Sequence, residues 1–216
     1  MSQTPCPVVV LISGNGSNLQ ALIDASNKNG CPYRIAGVVS NKAEAYGLQR
    51  ASMAGIPAAT VDHRSHESRE AFDRSLIQAI DGFSPQLLVL AGFMRILTAE
   101  FVHHYRGRIL NIHPSLLPAY RGTNTHQRVL DAGESEHGVS VHFVTEELDG
   151  GPVIQQAVVP VEAGDTAESL ARKVAAREHS IYPEVVHWFA QGRLEMRADG
   201  AWLDGARLPP QGLRIN

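Results

Sequence analysis

The feature that most limits the fold is a recurring unit: a short aliphatic run with no polar break, then a turn, then an amphipathic stretch. Val8-Val9-Val10-Leu11-Ile12 is the first run. An unbroken apolar run, unlike an alternating one, suits a strand covered on both faces, as in the parallel sheets of α/β proteins. It leads into Ser13-Gly14-Asn15-Gly16-Ser17-Asn18, after which Leu19, Leu22 and Ile23 recur at helical spacing. Further strands are expected over 33–40, 56–61 and 86–91. Helices are expected over 43–54, 68–80 and 98–105, the second with Phe72, Leu76, Ile77 and Ile80 on one side. Strand and helix alternating through short connections imply a parallel sheet with right-handed crossovers.

The turn after the first strand has the makings of an anion site. A glycine-rich strand-to-helix turn presents backbone N–H groups and the positive end of a helix, and glycine permits positive φ and close backbone approach. Ser17 or Asn18 is the expected helix cap. The dinucleotide fingerprint is absent, since Leu19 stands at the third position past Gly16, and there is no P-loop lysine. The turn therefore fits a single phosphate, although a tight turn that binds nothing has the same composition. Gly92-Phe93-Met94-Arg95-Ile96-Leu97 follows a buried strand at the carboxyl edge, where such sheets hold ligands.

Asn111-Ile112-His113-Pro114 ends another short strand. Alternation sends Asn111 and His113 to one face and Ile112 to the other, while Pro114 keeps His113 extended. A carboxamide can donate to a developing oxyanion and an imidazole can move a proton. Residues 119–124 are expected to form a mobile loop and 127–132 a short helix. The strand over 138–144 alternates, with Val139, Val141 and Phe143 on one face and Ser140 and His142 on the other. It pairs antiparallel with 153–159 by hairpin spacing. Asp149 lies between them, on a sharp turn made by Gly150-Gly151-Pro152. A long helix over 165–190, interrupted at Pro183, short strands over 192–196 and 202–203, and a tail that need not be ordered complete the chain.

Composition narrows the class. The 216 residues, 44% hydrophobic and 19% charged, fit one large domain or two small lobes. A net charge of −3 argues against a broad nucleic-acid or anionic-membrane surface. The two cysteines, Cys6 and Cys31, have no metal-site spacing and read as free thiols of a reducing, cytoplasmic compartment. No apolar run near the N-terminus is long enough for a signal segment or membrane span.

Four pieces in order, Ser13-Gly14-Asn15-Gly16-Ser17-Asn18, Ala91-Gly92-Phe93-Met94-Arg95-Ile96-Leu97, Leu110-Asn111-Ile112-His113-Pro114-Ser115-Leu116-Leu117-Pro118, and Val141-His142-Phe143-Val144 through Leu148-Asp149-Gly150-Gly151-Pro152, make the chain similar to the folate-dependent glycinamide ribonucleotide formyltransferases of purine synthesis. The resemblance implies an α/β fold with a three-layer Rossmann-like open sheet, mostly parallel in the N-terminal half and antiparallel in the C-terminal half. One formyltransferase domain over 1–216 is expected, with a nucleotide-binding half over 1–105, a folate-binding and catalytic half over 106–205 and a tail over 206–216.

It further implies that Gly16, Ser17 and Asn18 hold the ribonucleotide phosphate, and that Ala175, Ala176, Arg177 and Glu178 form its ribose wall. Met94, Arg95, Ile96 and Leu97, with Thr145, Glu146, Glu147, Leu148 and Asp149, enclose the pterin of 10-formyltetrahydrofolate, which Asn111 also touches; Arg69 lies toward its glutamate tail. Asn111, His113 and Asp149 are the implied catalytic trio, with Asp149 favouring a charged His113. No metal is expected, and no macromolecular partner beyond a monomer or weak homodimer. Relatives tend to carry a lysine near Ala119, a point where this chain departs. A deformylase would add an N-terminal regulatory domain and a methionyl-tRNA formyltransferase a C-terminal one. A non-catalytic nucleotide-binding module would not need Asn111, His113 and Asp149 together.

Overall fold

A computed structural model describes residues 4–216, which divide into two compact units, one ending at Leu110 and the other running from Asn111 to Asn216. The first unit is built on the expected alternation: β1 (Cys6–Ile12), α1 (Ser17–Ser26), β2 (Tyr33–Ser40), α2 (Tyr46–Met53), β3 (Ala58–Thr60), α3 (Arg69–Asp81), β4 (Leu87–Leu90) and α4 (Ala99–His104). Its strands run parallel in the order β4-β1-β2-β3. Val8, Val9, Val10, Leu11 and Ile12 are all sealed from solvent, as a central strand requires. Each such side chain contributes roughly 1.5–3 kcal/mol relative to exposure. Ser68 and Thr98 cap α3 and α4 by accepting from Ala71 N and Phe101 N. The helix expected from residue 43 begins only at Tyr46, because extended backbone at Ala45 precedes it.

Two corrections concern helices. Neither Ser17 nor Asn18 caps α1: Gly16 does, at φ 76°, and both residues lie inside the helix. A side chain at that φ is strained, so the cap position falls to the glycine. Pro183 does not interrupt α6 (Ala167–Ala190). The amide it lacks would have served His179, an exposed residue, and the buried stripe of Ile181, Tyr182, Val185 and Val186 carries the helix through.

β5 (Ile109–His113) leads the chain into the second unit, followed by α5 (Thr125–Asp131), β6 (Glu136–Phe143), β7 (Val153–Pro160) and α6 (Ala167–Ala190). β6 lies beside β5 and pairs antiparallel with β7. A small antiparallel sheet of β8 (Leu194–Arg197), β9 (Gly200–Leu203) and β10 (Ala206–Arg207) follows. The presumed tail is structured: β11 (Leu213–Ile215) pairs parallel with β7, and Arg214 forms an ion pair with Glu136.

β6 is buried on both faces, so its polar members need partners. Ser140 Oγ donates to Ser115 O at 2.6 Å and accepts from Leu117 N at 3.0 Å and Gln156 Nε2 at 2.9 Å. That network fixes the segment that follows His113.

Candidate active site

In the first unit the glycine turn is held by α2. Gly47 N–H donates to Gly14 O at 3.0 Å. A methyl group at Gly16 would lie 2.8 Å from Gly47 Cα, so the close approach requires glycine on both sides. The first turn of α1 has no acidic residue and no side-chain cap. Ser13, just before the turn, donates to Asn41 Oδ1 at 2.6 Å and accepts from Met94 N at 2.8 Å.

The Met94 contact fixes one end of the segment 92–98. Asp73 fixes the other, its Oδ2 accepting from Thr98 N at 2.6 Å. Burial pushes the Asp73 carboxyl above the usual carboxylate range. Between these anchors Met94 and Ile96 stand 67% and 56% exposed while Phe93 is buried. Two apolar side chains presented by a pinned backbone form a surface suited to a flat, partly apolar ligand. Arg95 lies over Phe72, 6.0 Å from the ring centroid, with its Nε buried and unpartnered; Leu97 is half-buried and Arg69 exposed in the first turn of α3.

The second unit brings Asn111, His113 and Asp149 together. His113 and Asp149 side chains are 6% and 8% exposed, with Nδ1 3.5 Å from Oδ2. His113 Nε2 lies 3.0 Å from Tyr120 O, to which it donates. Both ring nitrogens thus face oxygen atoms. Asp149, at φ 49°, accepts from Gly122 N at 2.9 Å. The loop expected to be mobile is therefore bonded to both members of the pair, through the Tyr120 carbonyl and the Gly122 amide.

His142 joins the site although residue pattern alone assigns it no role. Its Nδ1 lies 2.8 Å from Phe143 O and its Nε2 3.1 Å from Asn111 Nδ2. Nδ1–H donating to the carbonyl leaves Nε2 as an acceptor, so the Asn111 amide donates one proton and keeps a second to offer. Burial, with a lesser contribution from His113 and Arg121, holds His142 well below the usual imidazole range, consistent with the neutral ring this geometry requires. The alternation that put His142 beside Ser140 on one face of β6 was the available signal. Nearby, His126 Nδ1 lies 2.9 Å from His137 Nε2, and burial lowers His137 to about 4.

Of the remaining expected residues, Thr145 is half-buried, Glu146 and Leu148 are exposed, and Glu147 pairs with Arg121 across the two loops. Ala175, Ala176, Arg177 and Glu178 lie along the middle of α6, all half-buried except exposed Ala176.

Comparison with known proteins shows the family. Residues 7–186 match the family model described as "Formyl transferase". The chain is 60% identical over 205 residues to the phosphoribosylglycinamide formyltransferase of Escherichia coli, spanning 95% of this chain and 97% of that protein. It is 46% identical to that of Haemophilus influenzae over the same shares. The solved structure of the phosphoribosylglycinamide formyltransferase of Coxiella burnetii, in complex with CHES, superposes with a TM-score of 0.94 at 52% identity, covering 99% of this chain and all of that one.

Proposed function

We propose, from the premise that this chain belongs to the formyl transferase family, that it moves the formyl group of 10-formyltetrahydrofolate to the glycinamide amine of 5'-phosphoribosylglycinamide in purine synthesis. The observation that carries the reading is a carboxamide with a spare N–H beside a buried imidazole–carboxylate pair.

The neutral amine attacks the formyl carbon carried on N10, giving a tetrahedral oxyanion. Asn111, oriented by His142, offers its second N–H to that oxygen. His113 offers Nδ1, which lies 3.5 Å from Asp149 Oδ2, outside the usual N–H···O range of about 2.7–3.2 Å. One such donor lowers the barrier by roughly 3–4 kcal/mol. Asp149 Oδ2 is occupied by Gly122 N–H, whereas Oδ1 is 3.8 Å from His142 Nε2 and is the oxygen open to a proton from the attacking amine, directly or through water. Collapse expels N10, which takes up a proton.

Gly16, Ser17 and Asn18 take the phosphate on backbone amides, and Ala175 to Glu178 take the ribose. The pinned 92–97 segment, Asn111 and residues 145–149 take the pterin, with Arg69 toward the glutamate tail. Two unpaired thiols support a cytoplasmic location. The test is consumption of 10-formyltetrahydrofolate with and without ribonucleotide. Consumption that needs the ribonucleotide supports the transfer. Equal consumption without it would make water the acceptor, and none at all would leave only a binding module.

A further inference from the structure

We infer that Arg50, on α2, is a positioning residue for the ribonucleotide phosphate, aiming the backbone amides of the glycine turn and adding an uncompensated positive charge beside them. This rests on the reading of the Gly16 turn as the phosphate cradle.

Arg50 Nε donates to Asn15 O at 2.9 Å, Nη2 to Asn15 Oδ1 at 2.9 Å and Nη1 to Gln20 Oε1 at 3.3 Å. A planar guanidinium thus grips both the carbonyl and the side chain of one turn residue, a bidentate hold that lysine cannot reproduce. Tyr46 supports it, with the guanidinium carbon 4.9 Å from the ring centroid.

A trans peptide is planar, with its C=O and N–H pointing to opposite sides. Fixing Asn15 O toward Arg50 therefore turns Gly16 N–H away from α2. Gly47 does the same one residue earlier: by holding Gly14 O it turns Asn15 N–H outward. Two successive amides are so aimed by one helix, and successive outward amides make an anion-binding concavity.

The three acceptors on Arg50 are all neutral. Arg64, Arg121, Arg193, Arg197 and Arg214 each pair with a carboxylate, but among the described residues no carboxylate lies within ion-pair distance of Arg50. Its charge is left for an anion at the turn it holds.

The test compares Arg50→Gln, Arg50→Lys and Gly16→Ala with the native enzyme in steady-state formyl transfer, with inorganic phosphate as a competitor of the ribonucleotide and melting curves alongside. Arg50→Gln should raise the KM for the ribonucleotide about tenfold or more and weaken phosphate inhibition to match, with kcat and the folate KM within about twofold. Arg50→Lys should recover part of this, and the rise of ribonucleotide KM with salt should be shallower in Arg50→Gln than in the native enzyme. If both Arg50 variants keep the native ribonucleotide KM and phosphate inhibition while Gly16→Ala raises that KM, Arg50 has no such role and the cradle stands. If Gly16→Ala folds and leaves the KM unchanged, and phosphate does not compete, the cradle itself is refuted. A loss of melting temperature with both KM values and kcat moving together would make Arg50 merely structural.

Discussion

The glycine turn of the first unit and the polar cluster of the second are both arranged to receive charge, but by different means. The turn does it with backbone: positive φ at Gly16, a close approach to Gly47 and carbonyls held by α2. The cluster does it with side chains, each held by a group from another segment: Asn111 by His142, His113 by Tyr120 O, Asp149 by Gly122 N. The backbone site tolerates no added atom at Gly16. A side-chain site fits various packing around it yet depends on protonation. The first should fail through binding and the second through turnover, which is a contrast that substitution can break.

The largest effect should follow Asp149→Asn. It removes the proton acceptor while keeping the shape that accepts from Gly122 N, so kcat should fall roughly 10³-fold, within the range of proton-transfer catalysis, with both KM values little changed. Steady-state kinetics decides it; native turnover in the variant would remove Asp149 from the mechanism. Gly16→Ala is the counterpart in the turn. The added methyl meets Gly47 Cα at 2.8 Å and is strained at φ 76°, so the ribonucleotide KM should rise about tenfold more than the folate KM. A pure kcat loss there would erase the contrast.

How far each region was legible in the sequence follows the same division. Glycine spacing after an unbroken apolar run exposed the turn and the parallel sheet, because backbone demands are written in local residue type; β2 occupies the 33–40 span expected of it. The cap of α1 was misread because Ser17 and Asn18 suit a cap chemically, whereas the approach of Gly47 that decides the matter comes from another helix. Asn111 and His113 were legible as a strand-end pair. The partners that orient them were not, since a carbonyl at Tyr120 and an amide at Gly122 carry no signature and His142 looked like any polar residue on an alternating strand. Pro183 and β11 were misjudged for a related reason: burial along α6 and pairing with β7 outweigh local preference.

A smaller effect sharpens the side-chain half of the comparison. His142→Ala should leave the Asn111 amide without its acceptor and lower kcat about tenfold, less than loss of a reacting group, while the ribonucleotide KM stays within twofold. An unaltered kcat would show that Asn111 is oriented by something else.

The smallest effect is on stability, and here the two units should differ in sign. His137 is held at about 4 against an ordinary value of 6.5, and burial lowers His142 in the same direction. Between those values the unfolded chain binds protons that the folded unit refuses, so stability is whole above pH 6.5 and drains away as pH falls toward 4, at up to about 1.4 kcal/mol per pH unit for each ring. Asp73, raised by burial, acts oppositely in the first unit. There the folded state holds a proton that the unfolded chain has released, so mild acid favours it. Amide hydrogen exchange at pH 7 and pH 5 should therefore show β6 losing protection while β1 does not, and His137→Phe, which removes one of the lowered rings, should reduce the loss in β6. Equal loss in both strands would mean that the buried histidines do not set the acid response, and that the second unit's reliance on protonation state is confined to turnover.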